Sequence, residues 1–433
     1  MLPVSRSGNP LWPTGTPTSA GTPAPLSVAL FTATSATCVT GLIVADTATY
    51  WSGFGQFVIA GLIEVGGLGT MTFAAILAVY VAHRLKLHQR IAVAHATGSI
   101  SMEDIRGVVK RIIGYSLVVQ LVFAIPLVVD LYLRDHDFSH ALTNGLFLSV
   151  SAYNNAGFAL KTDSLMSYAD DPWILLPIAA LIIIGGIGFP VLAEITRAIR
   201  AGRSRSKRPK FSLTSRIMFV GTAVLILGGW ILMAALEWNN EKTLAPYSVA
   251  DKLMISFFSS VSPRTAGFNA MDIAGQHDVT WLITDILMFI GGGPAGTAGG
   301  VKVTTVMVLA FMVLTEVRAG KSVQMFGARI GRSTHRTAIT VLVLAYVLVA
   351  VATGVLMVIT PWGLDKVLFE VISALGTVGL STGITPYLPI SAQIVIGALM
   401  FIGRVGPMTI ATALAVRPDT RLFELPKERL IIG

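Results

Sequence analysis

Four stretches of the chain share one short pattern: Ser35-Ala36-Thr37-Cys38-Val39-Thr40-Gly41-Leu42, Ser151-Ala152-Tyr153-Asn154-Asn155-Ala156-Gly157-Phe158, Val261-Ser262-Pro263-Arg264-Thr265-Ala266-Gly267-Phe268 and Ser373-Ala374-Leu375-Gly376-Thr377-Val378-Gly379-Leu380. In each, one glycine stands before a Leu or Phe and behind a small or β-branched residue. Gly41, Gly157, Gly267 and Gly379 follow one another at intervals of roughly 110 to 116 residues, which marks an internal repeat. Glycine lets backbone carbonyls line a narrow tube, because it adopts dihedrals closed to residues with a Cβ. Carbonyls so arranged replace the water shell of a passing cation. Any one copy reads equally well as an ordinary loop glycine; four copies in register do not.

The fourth copy, Thr377-Val378-Gly379, comes closest to the Thr-Val-Gly text of potassium-channel filters. By register the other candidate ion-lining residues are Val39, Thr40 and Gly41, then Asn155, Ala156 and Gly157, then Thr265, Ala266 and Gly267. A second motif follows each glycine by roughly 24 to 28 residues: Gly66-Gly67-Leu68-Gly69, Gly185-Gly186-Ile187-Gly188, Gly291-Gly292-Gly293 and Gly403-Arg404-Val405-Gly406. In the first two copies the small residues serve to pack or bend returning helices. The third expands into a run from Gly291 to Gly300, with Gly296, Thr297, Ala298 and Gly299, that cannot stay helical. Unwound backbone midway along a membrane span implies a cavity or pore.

In the fourth copy Arg404 takes the place of a glycine. A charge at a helix centre costs about 2.5–3.5 kcal/mol on insertion scales, so it needs a partner. Arg404 is expected to face the axis below the glycine loops, to meet carbonyls of residues 291–300, and to form with them a gate and an electrostatic brake on cations. Lys302 either approaches that gate or snorkels to the interface. Glu64, inside a returning span, reads as a hydrogen-bonded helix-interface carboxylate, and Arg264 suits a helix C-terminus. Cys38 is a small loop residue. Gly291, Gly293 and Gly296 also fit a dinucleotide-binding pattern, but that pattern requires a preceding strand, and helix-length apolar segments flank it here.

Composition sets the elements that must hold these residues. Of 433 residues 53% are hydrophobic and 13% charged, and the mean hydropathy is +0.72, values that place the chain in a membrane. The net charge of +9 sits in a few blocks between apolar spans, where the positive-inside rule accounts for it; nucleic acid is not an expected partner. One cysteine excludes an internal disulfide, and no Cys/His cluster has metal-ligand spacing.

Apolar stretches at Pro25 to Ala36, Ala141 to Ser149, Asp251 to Val261 and Leu364 to Ala374 are too short to cross a bilayer, and each precedes a glycine loop. Runs at Phe54 to Val81, Ile112 to Leu133, Trp173 to Leu192, Ile217 to Leu236, from Trp281 onward, Ala338 to Ile359 and Ile390 to Val416 are spans.

The expected fold is an all-α integral membrane protein of four pseudo-repeats around a central pore, each a span, a re-entrant pore helix with its filter loop, and a second span. The divisions fall at 1–83, 112–196, 217–318 and 338–416, separated by cytoplasmic loops at 84–111, 197–216 and 319–337 and followed by a cytoplasmic tail at 417–433. The first outward span is missing by this count, so a misassigned start or a truncation is expected, the alternative being a seven-span protein with an extracellular N-terminus. Four short helices aim C-terminal dipole ends at one axis and favour a cation there.

These residues resemble the Ktr/Trk/HKT superfamily of potassium transporters, most closely the eight-span KtrB type. The resemblance covers the chain from about Pro25, and its most specific marks are the four loops, Ser262-Pro263-Arg264-Thr265-Ala266-Gly267-Phe268-Asn269, the Gly-rich interruption and Arg404. It implies potassium held by carbonyls near the four glycines, a gating loop at 291–300 assisted by Arg404, a homodimer with one pore per subunit, and a cytosolic KtrA-like RCK ring that carries the regulatory nucleotide. The basic loops and the tail Glu424 to Gly433 are the plausible contacts with that ring or the second protomer. In this family a serine at the first filter glycine accompanies sodium permeability; all four positions are glycine here, which favours potassium. Glu64 departs from a position expected to be neutral.

Together these features describe the potassium-translocating subunit of an uptake system, embedded in membrane lipid, with no bond chemistry and no organic cofactor of its own. The alternatives are a sodium-conducting or unselective pore of the same fold and an ion-coupled secondary transporter with a midplane site.

Overall fold

A computed structural model of the chain describes residues 23–84, 104–203, 211–318, 320 and 322–406. Residues 1–22, the tail Glu424 to Gly433, and the basic residues Lys86, Arg90, Arg205, Lys207, Arg208, Lys210 and Lys321 lie outside these. Among the described residues four helices are long and apolar enough to cross a membrane: α2 (Gly53–Arg84), α3 (Asp104–Asp135), α7 (Leu213–Glu237) and α11 (Arg332–Ile359). Their outward faces are apolar. On α3 Val118, Leu121, Ile125 and Leu133 are exposed while Ser116 and Gln120 are buried, which inverts the pattern of a water-facing helix and suits a lipid surround.

Four shorter helices, α1 (Leu26–Thr37), α4 (Phe138–Asn154), α8 (Val249–Val261) and α12 (Leu364–Gly376), cover the four short apolar stretches and end at the four glycine loops. At 12–17 residues they are too short to span. Local chemistry fixes the N-termini of two of them. Asp137 accepts from the backbone N–H groups of Ser139 and His140 at the start of α4, and Ser248 accepts from Asp251 N at the start of α8, satisfying donors that a helix end leaves orphaned. The returning segments are α5 (Pro172–Ile187), α6 (Phe189–Arg203), α9 (Asp278–Phe289), α10 (Val303–Val317) and α13 (Ile390–Val405).

Helix packing closes a ring. The returning helix that follows each loop packs on the next short helix: α2 on α4, α5 on α8, α9 on α12, and α13 back on α1. Close approach depends on glycines of the second motif. A methyl on Gly66 would lie 2.0 Å from Thr37 O, one on Gly185 1.9 Å from Tyr153 O, and one on Gly403 2.0 Å from Leu375 O. Three returning helices therefore touch backbone near the C-terminal end of the short helix before them.

Two features depart from the sequence reading. The run Trp173 to Leu192 is broken between α5 and α6, which bend by 104°. Gly188, at φ +97°, supplies the turn, and a methyl on it would lie 2.5 Å from Pro294 O. Hydropathy runs straight through this point, so the bend is set by packing against residues 291–300. Among the described residues the only strands are a hairpin of β1 (Gln324–Met325) and β2 (Ala328–Arg329), turned by Phe326 and Gly327, both at positive φ, and isolated bridge residues stand at Pro23, Trp51, Ile290 and Val301, the last two paired with each other.

A Gly403→Ala variant should unfold more easily by about 1–3 kcal/mol, the usual cost of overpacking. Gly397→Ala, on the same helix with open space around it, should be neutral or stabilising by up to about 1 kcal/mol. Thermal unfolding of the purified protein in detergent reads the difference; matching midpoints would contradict the packing.

Candidate functional site

Each glycine loop is built by the same backbone device. The residue two before the glycine is left-handed, Val39 at φ 56°, Asn155 at 60°, Thr265 at 70° and Thr377 at 50°, and each of the four glycines also has positive φ. The residue just before the glycine donates its N–H back to a serine carbonyl. Thr40 N donates to Ser35 O (2.8 Å), Ala156 N to Ser151 O (2.8 Å), Ala266 N to Ser262 O (2.9 Å) and Val378 N to Ser373 O (2.8 Å). In the first and fourth loops the serine hydroxyl also accepts from the glycine, at 3.0 Å from Gly41 N and 3.1 Å from Gly379 N. Helix ends finished this way satisfy N–H groups inward and leave the following carbonyls free.

The four glycines meet. A methyl on Gly41 would lie 2.4 Å from Ala156 O, on Gly157 2.8 Å from Ala266 O, on Gly267 2.4 Å from Val378 O, and on Gly379 2.1 Å from Thr40 O. The contacts run from loop to loop and return to the first, so a side chain at any of the four positions is strained and must push the next loop's backbone aside. Thr40, Ala156, Ala266, Val378 and the residues before them, Val39, Asn155, Thr265 and Thr377, are buried. None of these eight carbonyl oxygens accepts a hydrogen bond from a described residue. The Asn155 side-chain amide and Thr265 Oγ1, 3.2 Å apart, tie the second loop to the third.

On one side the ring opens into a cavity of about 240 Å³ lined by its glycines together with Asp46, Lys161, Asn269, Asp272 and Ser381. On the other side residues 291–300 lie directly against it. A methyl on Gly299 would strike Thr377 Oγ1 at 2.1 Å, and one on Gly300 would lie 3.3 Å from Gly376 Cα. Thr297 Oγ1 donates to Tyr153 O (3.3 Å), at the end of α4. The segment is pinned to the broken end of α5 by Gly293 N to Gly186 O (2.7 Å) and Thr297 N to Gly185 O (3.3 Å). Gly292 is equally crowded, since a methyl there would meet Gly186 O at 2.6 Å, whereas one on Gly291 would meet Gly299 O at 2.0 Å and one on Gly296 would lie 3.1 Å from Gly186 O.

Arg404 closes the arrangement: Nη1 donates to Thr297 O, and Nη2 donates to Gly66 O (2.8 Å) on α2. Lys302 folds back and donates to Ala298 O (2.6 Å) and Gly299 O (3.4 Å) instead of snorkelling. The first two copies of the second motif thus do more than pack helices. Gly66 supplies an acceptor to Arg404, and Gly185 and Gly186 supply acceptors to residues 291–300.

Other singled-out residues are placed as follows. Arg264 does not reach the helix-end carbonyls; its Nη2 donates to Thr222 Oγ1 (3.2 Å) on α7. Cys38 is free and buried. Glu64 accepts from Gln120 Nε2 (2.9 Å) and Asn154 Nδ2 (2.6 Å), as a helix-interface carboxylate does. Sequence reasoning passed over Ser35, Ser151 and Ser373, although each stands six residues before its glycine, and Ser262, which stands five before Gly267; the shared position in three of the four loops was a usable signal. Asn154 carried no comparable mark. Among the described residues no group of three or more His, Cys, Asp or Glu could hold a metal ion.

The model of the TrkH family, described as cation transport protein, matches residues 11–425. The Ktr system potassium uptake protein B of Bacillus subtilis is 39% identical over 89% of this chain and 85% of its own length, and the protein of the same name from Vibrio alginolyticus is 36% identical over 94% and 88%. The potassium/sodium uptake protein NtpJ of Enterococcus hirae is 35% identical over 94% and 89%. Among solved structures, the potassium transporter TrkH from Vibrio parahaemolyticus superposes with a TM-score of 0.71 at 18% identity, covering 92% of this chain and 79% of that one, a likeness of fold. An apolar helical chain with four carbonyl loops in a ring and a match along nearly its whole length is a multi-pass membrane protein of the TrkH family of cation transport proteins, not an enzyme.

Proposed function

We propose that this chain is the potassium-translocating subunit of a Ktr-like uptake system, with the ring of Gly41, Gly157, Gly267 and Gly379 as its selectivity filter. The observation that carries the reading is the set of eight buried carbonyl oxygens that accept no hydrogen bond from the described residues. Buried carbonyls are ordinarily paired, and a dehydrated cation on the ring axis supplies the missing partner. Four short helices present their C-terminal ends, each roughly half a negative charge, to the same axis and favour a cation without a ring of carboxylates. A membrane potential suffices as a driving force, since moving one charge is worth about 2.3 kcal/mol per 100 mV.

In this reading residues 291–300 are the gate below the filter, held shut by Arg404 and Lys302, whose charges also repel a cation leaving the filter. The chain divides into four pseudo-repeats at 1–83, 112–196, 217–318 and 338–416, with inter-repeat loops and C-terminus in the cytoplasm. In this reading it works as a homodimer on a cytosolic nucleotide-binding ring; the names of the Ktr-system relatives support a system of more than one component. Those names include a protein of potassium and sodium uptake, which gives a second reading, sodium conduction through the same ring. Flux of the two ions measured on the full chain in proteoliposomes separates them: potassium preferred many-fold supports the first, equal flux the second.

Two variants test the parts separately. Arg404→Ala removes two hydrogen bonds from a charged donor, each worth about 1.5–3 kcal/mol, and should raise potassium flux roughly tenfold or more. Shortening residues 291–300 should act in the same direction, and unchanged flux in both removes the gate. Gly379→Ser places a side chain against Thr40 O at a backbone conformation that disfavours it, and should lower the preference for potassium over sodium. Intact preference would detach that loop from the filter.

A further inference from the structure

Glu64 lies within a span, and no cation pairs with it among the described residues. Its Oε2 accepts from two side-chain amides on two other helices, Gln120 of α3 and Asn154 of α4. Gln120 is held in turn by Ser116, whose Oγ accepts from the same Nε2 at 3.0 Å, and through its own carbonyl by Ser149 Oγ at 2.7 Å. Asn154 is the last residue of α4 and directly precedes the left-handed Asn155 of the second glycine loop. The turn of α2 that carries Glu64 is shaped around Asn154, because a methyl on Gly67 would lie 1.9 Å from Asn154 Oδ1. In the other three loops this register position holds Cys38, Arg264 and Gly376, so the loop ends are not held alike. The second is clamped from outside by a carboxylate.

We propose that Glu64 is a positioning residue for ion discrimination: by fixing the Asn154 side chain it sets the angle at which α4 ends, and with it the direction of the Asn155 and Ala156 carbonyls. Discrimination between cations of similar charge depends on the placement and freedom of such oxygens. Both amides converge on one carboxylate oxygen, so the task requires an acceptor at that point and not the negative charge itself. A glutamine at position 64 keeps a carbonyl oxygen there; an alanine does not.

The proposal rests on the filter reading above, and full-length chain in proteoliposomes tests both. Half-saturating concentrations for potassium and sodium are measured separately from maximal flux. Glu64→Ala and Asn154→Ala should each lower the potassium preference by about tenfold, the size of one hydrogen bond to a charged group, and the double variant should lose no more than either single one. Glu64→Gln should stay within about twofold of wild type. Asn154→Ala leaves Glu64 bonded to Gln120, so it decides the matter even if Glu64→Ala does not fold. Variants whose maximal flux falls while preference is unmoved, or Glu64→Gln falling as far as Glu64→Ala, would overturn the positioning role. A wild-type chain with no potassium flux would instead overturn the filter reading itself.

Discussion

Eight buried carbonyl oxygens accept no hydrogen bond from the described residues, and the rest of the structure serves to keep them so. A carbonyl left alone in an apolar interior costs free energy comparable to a lost hydrogen bond, and the chain would relax to pair it if it could. It cannot, because each loop is closed from behind. The N–H groups of Thr40, Ala156, Ala266 and Val378 are already spent on serine carbonyls, and the four glycines abut one another so closely that no loop can rotate without striking the next. Glycine is required there because the backbone is left-handed and because the neighbouring carbonyl occupies the place of a Cβ.

Around that ring, support comes in two forms. Steric support comes from Gly66, Gly185 and Gly403, which bring the returning helices against backbone near the ends of the short ones. Polar support comes from residues that cross between helices: Arg404 joins α13 to α2 and to Thr297, Thr297 joins residues 291–300 to the end of α4, and Glu64 joins α2 to α3 and α4. Thr297 shares bonds with both Arg404 and the helix that carries the second loop. A displacement of residues 291–300 is therefore felt at the ring, where Gly299 and Gly300 also lie against Thr377 and Gly376.

Much of this was legible in the sequence where a constraint acts on the backbone itself. The positions of the short helices and loops followed from apolar length and from glycine in a fixed register, since only one residue type meets the demand. Arg404 stood out because charge is scarce in a span, and its contact with residues 291–300 followed from the need of a buried guanidinium for carbonyls. The bend at Gly188 was hidden, because its cause is Pro294 a hundred residues away while the local text stays apolar. The same limit applied to Arg264, whose partner Thr222 sits on α7, and to the Glu64 clamp, which exists only once three helices pack. Side chains whose meaning depends on what packs beside them leave no periodic trace.

Rubidium scatters strongly and follows potassium chemistry closely, so the anomalous density of crystals grown in rubidium locates the ion directly. Peaks should fall on the axis of the glycine ring, within bonding distance of carbonyl oxygens from all four loops. Rubidium bound only elsewhere, with the ring empty at concentrations that saturate transport, would contradict the central claim.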